Sequence, residues 1–295
     1  MNCIQQTNGE NFTLFHGDCA EVIKGLPDSS VDYSIFSPPF SSLYTYSNSP
    51  RDMGNVRNDA EFFVHFEYLI SELRRVMRPG HNVSFHCMLM PTSKERDGHI
   101  GLKDLRGALI RAFQRHGFIF ASEVVIWKDP VTAMQRTKAL GLLHKTVRTN
   151  ATMSRQGIPD YLVTVRSPGD VGGRVTHDPT QYPVDKWQKV ASPVWMDIDP
   201  SDTLQYRSAR EHDDERHIAP LQLEVIRRGI DLWTNPGDVV LSPFAGIGSE
   251  GFAALEMGRK FVGIELKESY YRQAALNLQA AEQEKTQDLF SEATA

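Results

Sequence analysis

From Asp238 to Gly251 the chain reads Asp-Val-Val-Leu-Ser-Pro-Phe-Ala-Gly-Ile-Gly-Ser-Glu-Gly, and no other stretch narrows the fold as much. Val239 to Leu241 is too short for a buried helix and reads as a strand. Phe244-Ala245-Gly246-Ile247-Gly248 allows a tight turn, and a helix is expected to open near Ser249. Such a turn lets backbone approach a ligand and aims the unpaired N–H groups of the helix start at it. A second apolar run, Phe261 to Ile264, ends on Glu265, where a carboxylate can accept both hydroxyls of a ribose. Gly246, Gly248 and Gly251 also fit the glycine spacing of NAD sites. These residues alone leave an NAD-dependent dehydrogenase open.

The same alternation recurs upstream. Phe12–Phe15, Val31–Phe36, Val83–Leu89, Ala121–Trp127 and Tyr161–Val165 read as strands. Helices are predicted around Val22, Ile23 and Leu26, over Ala60–Met77 (with Phe63, Phe66, Leu69, Ile70, Leu73 and Val76 on one face), over Leu102–His116 and over Pro220–Trp233. Arg78 to Asn82 reads as a stop and turn, Ser41 to Asn58 as a loop, Ser167 to Asp214 as irregular, and the tail after Glu282 as frayed. The expected fold is α/β, a doubly wound, mostly parallel sheet. Residues 1–128 and 216–282 would form its two halves, 129–215 an inserted region and 283–295 a polar tail.

The chain of 295 residues has a net charge of −5, so a nucleic-acid partner must be met by a local patch. Lys128, Arg136, Lys138, Lys145, Arg148 and Arg155 supply one, in a stretch where Asp129 is the only acid. Cys3, Cys19 and Cys87 form no CxxC pair, which fits a reduced, cytoplasmic protein. No basic-then-apolar leader and no membrane-length apolar run is present, so a soluble protein is expected. His86, His144 and His217 match no metal-site spacing; they read as ordinary polar residues, and no metal is expected.

Far upstream of the glycine turn, the apolar run Val31–Phe36 enters Ser37-Pro38-Pro39-Phe40. These residues would project from the C-terminal edge of the sheet, where ligands bind in such folds. Two prolines fix φ and remove two N–H donors, leaving carbonyls that can accept from an exocyclic NH2. The Ser37 hydroxyl adds an acceptor, and Phe40 can stack on a base. Holding both amine hydrogens turns the nitrogen lone pair toward an electrophile. With a nucleoside-type site in the same chain, that electrophile reads as the sulfonium methyl of S-adenosylmethionine. A dehydrogenase does not explain Ser37 to Phe40, and a non-catalytic DNA-binding module is the remaining rival.

As an ordered set these motifs resemble the amino-methylating DNA methyltransferases, in the permuted (beta) group whose catalytic motif precedes the cofactor motif. The resemblance takes in Phe15-His16-Gly17-Asp18, Leu26–Asp32 leading to Ser37–Phe40, Leu73–Gly80, Pro220-Leu221, Asn235–Asp238, Phe244–Gly248, Gly263–Glu265, and Tyr270 with Ala274. It implies a class I methyltransferase fold, S-adenosylmethionine as cofactor, double-stranded DNA as partner and a flipped-out base. It also implies catalytic Ser37, Pro38, Pro39 and Phe40. Ser242, Phe244, Ala245, Gly246 and Gly248 would lie at the cofactor, Glu265 at its ribose and Asp18 near its adenine. Arg136, Lys138, Lys145, Arg148 and Arg155 are expected to contact DNA, and the irregular segment after them to read sequence. A second copy of the chain and a matching restriction enzyme are open as partners.

Two positions depart from the family pattern: Ser242 stands where Asp is usual, and the catalytic motif opens on Ser37 rather than Asp. Ser-Pro-Pro-aromatic resembles the cytosine-N4 enzymes, so cytosine N4 is the expected target and adenine N6 the alternative. Cytosine-C5 methylation is set aside, because none of the three cysteines follows a proline as that family's nucleophile does.

Overall fold

The computed structural model describes residues 2–39, 53, 59–137, 140–180, 182–205 and 220–292, with only the backbone described at 59, 96, 136, 137, 140 and 285–292. Phe40, Lys138, His217 and most of the loop expected over 41–58 lie outside these residues.

The strands are β1 (Gln5–Asn8), β2 (Phe12–His16), β3 (Val31–Phe36), β4 (Met77–Met88), β5 (Met90–Pro91), β6 (Leu102–Lys103), β7 (Ile119–Ile126), β8 (Asp160–Arg166), β9 (Val194–Trp195), β10 (Val239–Ser242) and β11 (Lys260–Glu265). The helices are α1 (Cys19–Val22), α2 (Asp59–Val76), α3 (Lys94–Asp97), α4 (Leu105–Arg115), α5 (Pro130–Thr137), α6 (His144–Thr149), α7 (Val184–Val190), α8 (Leu223–Trp233), α9 (Ser249–Glu256) and α10 (Glu268–Glu292). Among the described residues the main sheet has the order β1-β2-β11-β10-β3-β4-β8-β7-β9. The block β2-β11-β10-β3-β4 is parallel, as the alternation of strands and helices predicts. The pairings β4–β8 and β8–β7 are antiparallel.

β3 sits at the centre, and all six of its residues are buried. A strand covered on both faces must be apolar or satisfy its polar groups internally. The Ser34 hydroxyl donates to the Leu241 carbonyl (3.0 Å), and Asp32 accepts from the Val239 N–H (2.9 Å). Both bonds fasten β3 to β10. On one face α2 buries Phe62, Phe66, Leu69, Ile70, Leu73 and Val76, so Phe62 takes the core place expected of Phe63. On the other, Val225, Ile226 and Ile230 of α8 pack with Tyr33, Ile35 and Val240.

Four local expectations are corrected. Arg78 to Asn82 lies within β4: Met77 pairs with Val31 and Asn82 with Tyr33, and a register shift with Gly80 at φ +76° absorbs the irregularity. Leu102 and Lys103 pair with β5 rather than starting α4, whose cap is Asp104. The chain after Glu282 stays helical to Glu292, and Glu282 itself accepts from the Asn11 N–H (2.6 Å). The irregular stretch also holds α7 and β9, and β8 and β9 are strands of the main sheet. No described helix is long and apolar enough to cross a membrane.

Candidate active site

The glycine turn folds as the sequence requires. Gly246 and Gly248 have φ of +53° and +89°, a region costly for residues with a Cβ. Gly248 is the N-cap residue of α9. Glu265 ends β11, and its carboxylate accepts from the Gly246 N–H and the Lys267 N–H, each at 2.8 Å. One side chain therefore fixes both the turn and the strand end. Among the described residues a Cβ on Gly246 would meet nothing within 4 Å, so they leave open space beside the turn. Gly251 differs: a Cβ there would lie 2.5 Å from Leu278 and from the Phe261 ring. Helix packing accounts for the third glycine.

Asp18 follows β2, the strand beside β11, and caps α1 by accepting from the Ala20 N–H (2.9 Å). The preceding Gly17 N–H donates to the Glu265 carbonyl (2.9 Å), which sets Asp18 and Glu265 at neighbouring strand ends. Ser242 is fully buried, and its Oγ, like that of Ser249, has no hydrogen-bond partner among the described residues. Ala245 is buried, and Phe244 packs against Phe36 and Phe66 (centroids 5.7 and 6.4 Å), so much of its ring belongs to the core. Glu250 is buried in the first turn of α9; burial, with the Glu265 charge adding, pushes its carboxyl up to about 8.

The Ser37-Pro38-Pro39 segment leaves β3 at the same edge. Phe36 pairs with Phe85 in parallel register, so the next step sets Ser37 beside His86. Ser37 Oγ lies 3.1 Å from His86 Nδ1. His86 Nε2 is 3.0 Å from Asp160 Oδ2, and the same oxygen is 2.6 Å from Lys128 Nζ. Burial acts to raise the Asp160 carboxyl, but His86 and Lys128 outweigh it and hold the group below its ordinary value. Nε2 faces Asp160, and either Ser37 Oγ or His86 Nδ1 can donate in the contact between them, according to which ring nitrogen carries the proton. Pro38 is buried and Pro39 half-buried.

His86, read from the sequence as an ordinary polar residue, thus lies between Ser37 and Asp160. The register gives the reason: His86 pairs with Leu162, Met88 with Asp160 and Ile126 with Asp160. Side chains two apart share a face, so His86, Asp160 and Lys128 meet. The signal in the sequence was a histidine inside an apolar strand and an acid opening the strand that follows the basic stretch.

Of the basic stretch, Lys128 is therefore engaged with Asp160. Lys145 and Arg148 lie on α6, exposed and without an ion pair among the described residues. Arg155 is half-buried, and burial lowers its guanidinium from the ordinary value. Arg136 lies on α5.

Residues 31–276 match the family of N6/N4 DNA methylases. The chain belongs to that family. Its cofactor is S-adenosylmethionine, and the buried hydroxyls of Ser242 and Ser249, unpartnered among the described residues, with the space these leave at Gly246, suit a polar ligand there. The dehydrogenase alternative is thereby overturned. Among curated relatives, the type II methyltransferase M.BglII of Bacillus subtilis is 24% identical over 87% of this chain, and the match spans 66% of that relative's length. The DNA adenine methyltransferase YhdJ of Escherichia coli K12 is 25% identical over 94% of this chain and 86% of its own. Among solved structures, PvuII DNA methyltransferase, described as cytosine-N4-specific, has a TM-score of 0.67 at 17% identity, covering 94% of this chain and 90% of its own. A DNA modification methylase of Thermus thermophilus, solved with S-adenosyl-L-methionine, has a TM-score of 0.64 at 21% identity, covering 91% and 95%. These neighbours share the class I methyltransferase fold.

Proposed function

We propose that this protein methylates an exocyclic base amine in duplex DNA, with cytosine N4 favoured over adenine N6. The observation that carries the reading is the placement of Ser37, its hydroxyl held by His86, on the sheet edge that also carries the Glu265–Gly246 pair, with only β10 between their strands. Bound S-adenosylmethionine supplies a sulfonium methyl group, reactive enough to need no covalent nucleophile on the protein.

Directing its proton to His86 leaves Ser37 Oγ free to accept from the amine. Pro38 and Pro39 present no N–H, so the amine meets acceptors there. The side chain of Phe40 is assigned to stacking on the flipped base, worth roughly 1–3 kcal/mol. Ser242 and Ser249 would face the cofactor's polar atoms, Glu265 its ribose and Asp18 its adenine end. Catalysis rests on alignment and on preorganised acceptors. Burial pushes the thiols of Cys19 and Cys87 up, which makes both poor nucleophiles and supports amine rather than ring-carbon chemistry.

DNA would be held by Arg136, Lys138, Lys145, Arg148 and Arg155, with the parts of 129–215 outside β8 and β9 reading sequence. A matching endonuclease is the partner suggested by the type II relatives. The test is transfer of a labelled methyl group to DNA by wild type and Ser37→Ala. Wild type should label DNA, and Ser37→Ala should bind S-adenosylmethionine normally yet lose most turnover. Equal turnover by the variant would remove Ser37 from the mechanism.

A further inference from the structure

We infer that His86, held by Asp160 and Lys128, receives through the Ser37 hydroxyl the proton that the amine loses on methylation. The inference rests on the amine-methylation reading above and assigns the part of the reaction which that reading leaves open.

The chemistry demands a proton acceptor. The amine nitrogen uses its lone pair to form the N–C bond while the departing sulfur keeps the C–S pair. The nitrogen is left positively charged with one proton to lose. A serine hydroxyl cannot hold that proton, because a protonated alcohol is far too acidic. It can relay it: the amine N–H proton passes to Ser37 Oγ as the Ser37 O–H proton passes to His86 Nδ1. Ser37 ends as a neutral hydroxyl, and His86 as an imidazolium that releases its proton to solvent after turnover.

The geometry is the one such a relay needs. Ser37 Oγ and His86 Nδ1 are 3.1 Å apart, within hydrogen-bond reach, and the other ring nitrogen faces an ionised carboxylate at 3.0 Å. Asp160 stabilises the imidazolium as it forms and holds the ring with Nδ1 toward Ser37. His86 and Lys128, the latter 2.6 Å from the same oxygen, together hold the Asp160 carboxyl below its ordinary value despite its burial. His86 on β4 and Asp160 on β8 share one face of the sheet, and Ser37 and Lys128 reach it from just past the ends of β3 and β7.

Among the described residues, the ionisable groups facing His86 are Asp160 and, behind it, Lys128. The arginines of α8 are engaged elsewhere, Arg227 with Asp202 and Glu256 and Arg228 with Asp197 and Glu224. Arg106 of α4 pairs with Glu123, on the face that carries Cys87. His86 touches no reacting atom in this scheme; it is a positioning residue that acts through Ser37.

The experiment is the pH profile of single-turnover methylation of duplex DNA by wild type, His86→Asn and Asp160→Asn, with S-adenosylmethionine affinity measured in parallel. Wild type should show an acid limb, because protonated His86 cannot accept the Ser37 proton. Asparagine can still hydrogen-bond Ser37 but cannot take a proton, so His86→Asn should be slower by roughly 100-fold. It should also lose the acid limb while binding the cofactor as wild type does. In Asp160→Asn the limb should move to lower pH, since the imidazolium loses its anionic partner. A slow His86→Asn that keeps the acid limb would mean a purely structural histidine and overturn the inference, as would a wild-type rate and profile. A limb unmoved in Asp160→Asn would overturn the role of Asp160. If wild type makes no methylated amine at all, the function itself falls, and this inference with it.

Discussion

Removing the Glu265 carboxylate tests the cofactor half of the site. Two effects are built into the structure. The first is internal: the Gly246 and Lys267 N–H groups, each 2.8 Å from a carboxylate oxygen, lose their acceptor in Glu265→Ala. Glu265 is only half-buried, so water can replace part of this, and the stability cost should be about 1–2 kcal/mol. A domain with the usual margin of roughly 5–15 kcal/mol survives that. The second effect is on binding. Hydrogen bonds from two ribose hydroxyls to a carboxylate are worth about 1.5–3 kcal/mol each. A loss of ~3 kcal/mol weakens cofactor affinity roughly 150-fold. Glu265→Gln keeps the shape and loses the charge, so it should fall between. Isothermal titration with S-adenosylmethionine and with its 2′-deoxy analogue separates direct contact from a loosened turn. Wild type should discriminate against the deoxy compound, and Glu265→Ala should not. Equal discrimination by both proteins would show that the carboxylate does not touch the ribose.

Further outcomes follow from the same structure. Gly251→Ala places a Cβ 2.5 Å from Leu278 and Phe261 and should cost about 1–3 kcal/mol in thermal unfolding while leaving cofactor affinity near wild type; collapsed affinity at an unchanged Tm would make Gly251 a ligand contact. Glu250 has a folded value of about 8, above its unfolded value, so the stability it contributes is present at acid pH and is lost as pH rises toward and through 8. Glu250→Gln should therefore raise Tm more at pH 8 than at pH 5, and an equal gain at both would place an ionised carboxylate in the fold. Replacing Lys145 and Arg148 by Ala should flatten the salt dependence of DNA binding by about one unit of slope per lost phosphate contact; an unchanged slope would move the DNA contact elsewhere.

Much of the site was legible because its signals are contiguous. The glycine turn, Glu265 at the end of its strand and Ser37-Pro38-Pro39 after theirs are each a few residues long, and parallel strand order brings their ends to one edge. The Ser37–His86–Asp160–Lys128 chain was not legible. Its members come from β3, β4, β8 and the end of β7, and they meet only through the antiparallel register of β4, β8 and β7. Local pattern gives a strand but not its partner. The same blindness explains Arg78 to Asn82: proline and glycine signal a turn, whereas pairing with β3 and the irregular start of β4 decide the outcome. Gly251 shows the reverse error, since its spacing fits a dinucleotide site while its surroundings are helix packing.

The central claim concerns which atom receives the methyl group, and it is tested most directly by mass spectrometry of nucleosides from DNA incubated with the protein and S-adenosylmethionine. N4-methylcytosine is the expected product. N6-methyladenine alone would move the target to adenine while keeping the amine chemistry. 5-Methylcytosine, or no methylated nucleoside at all, would contradict the assignment of Ser37 to an exocyclic amine.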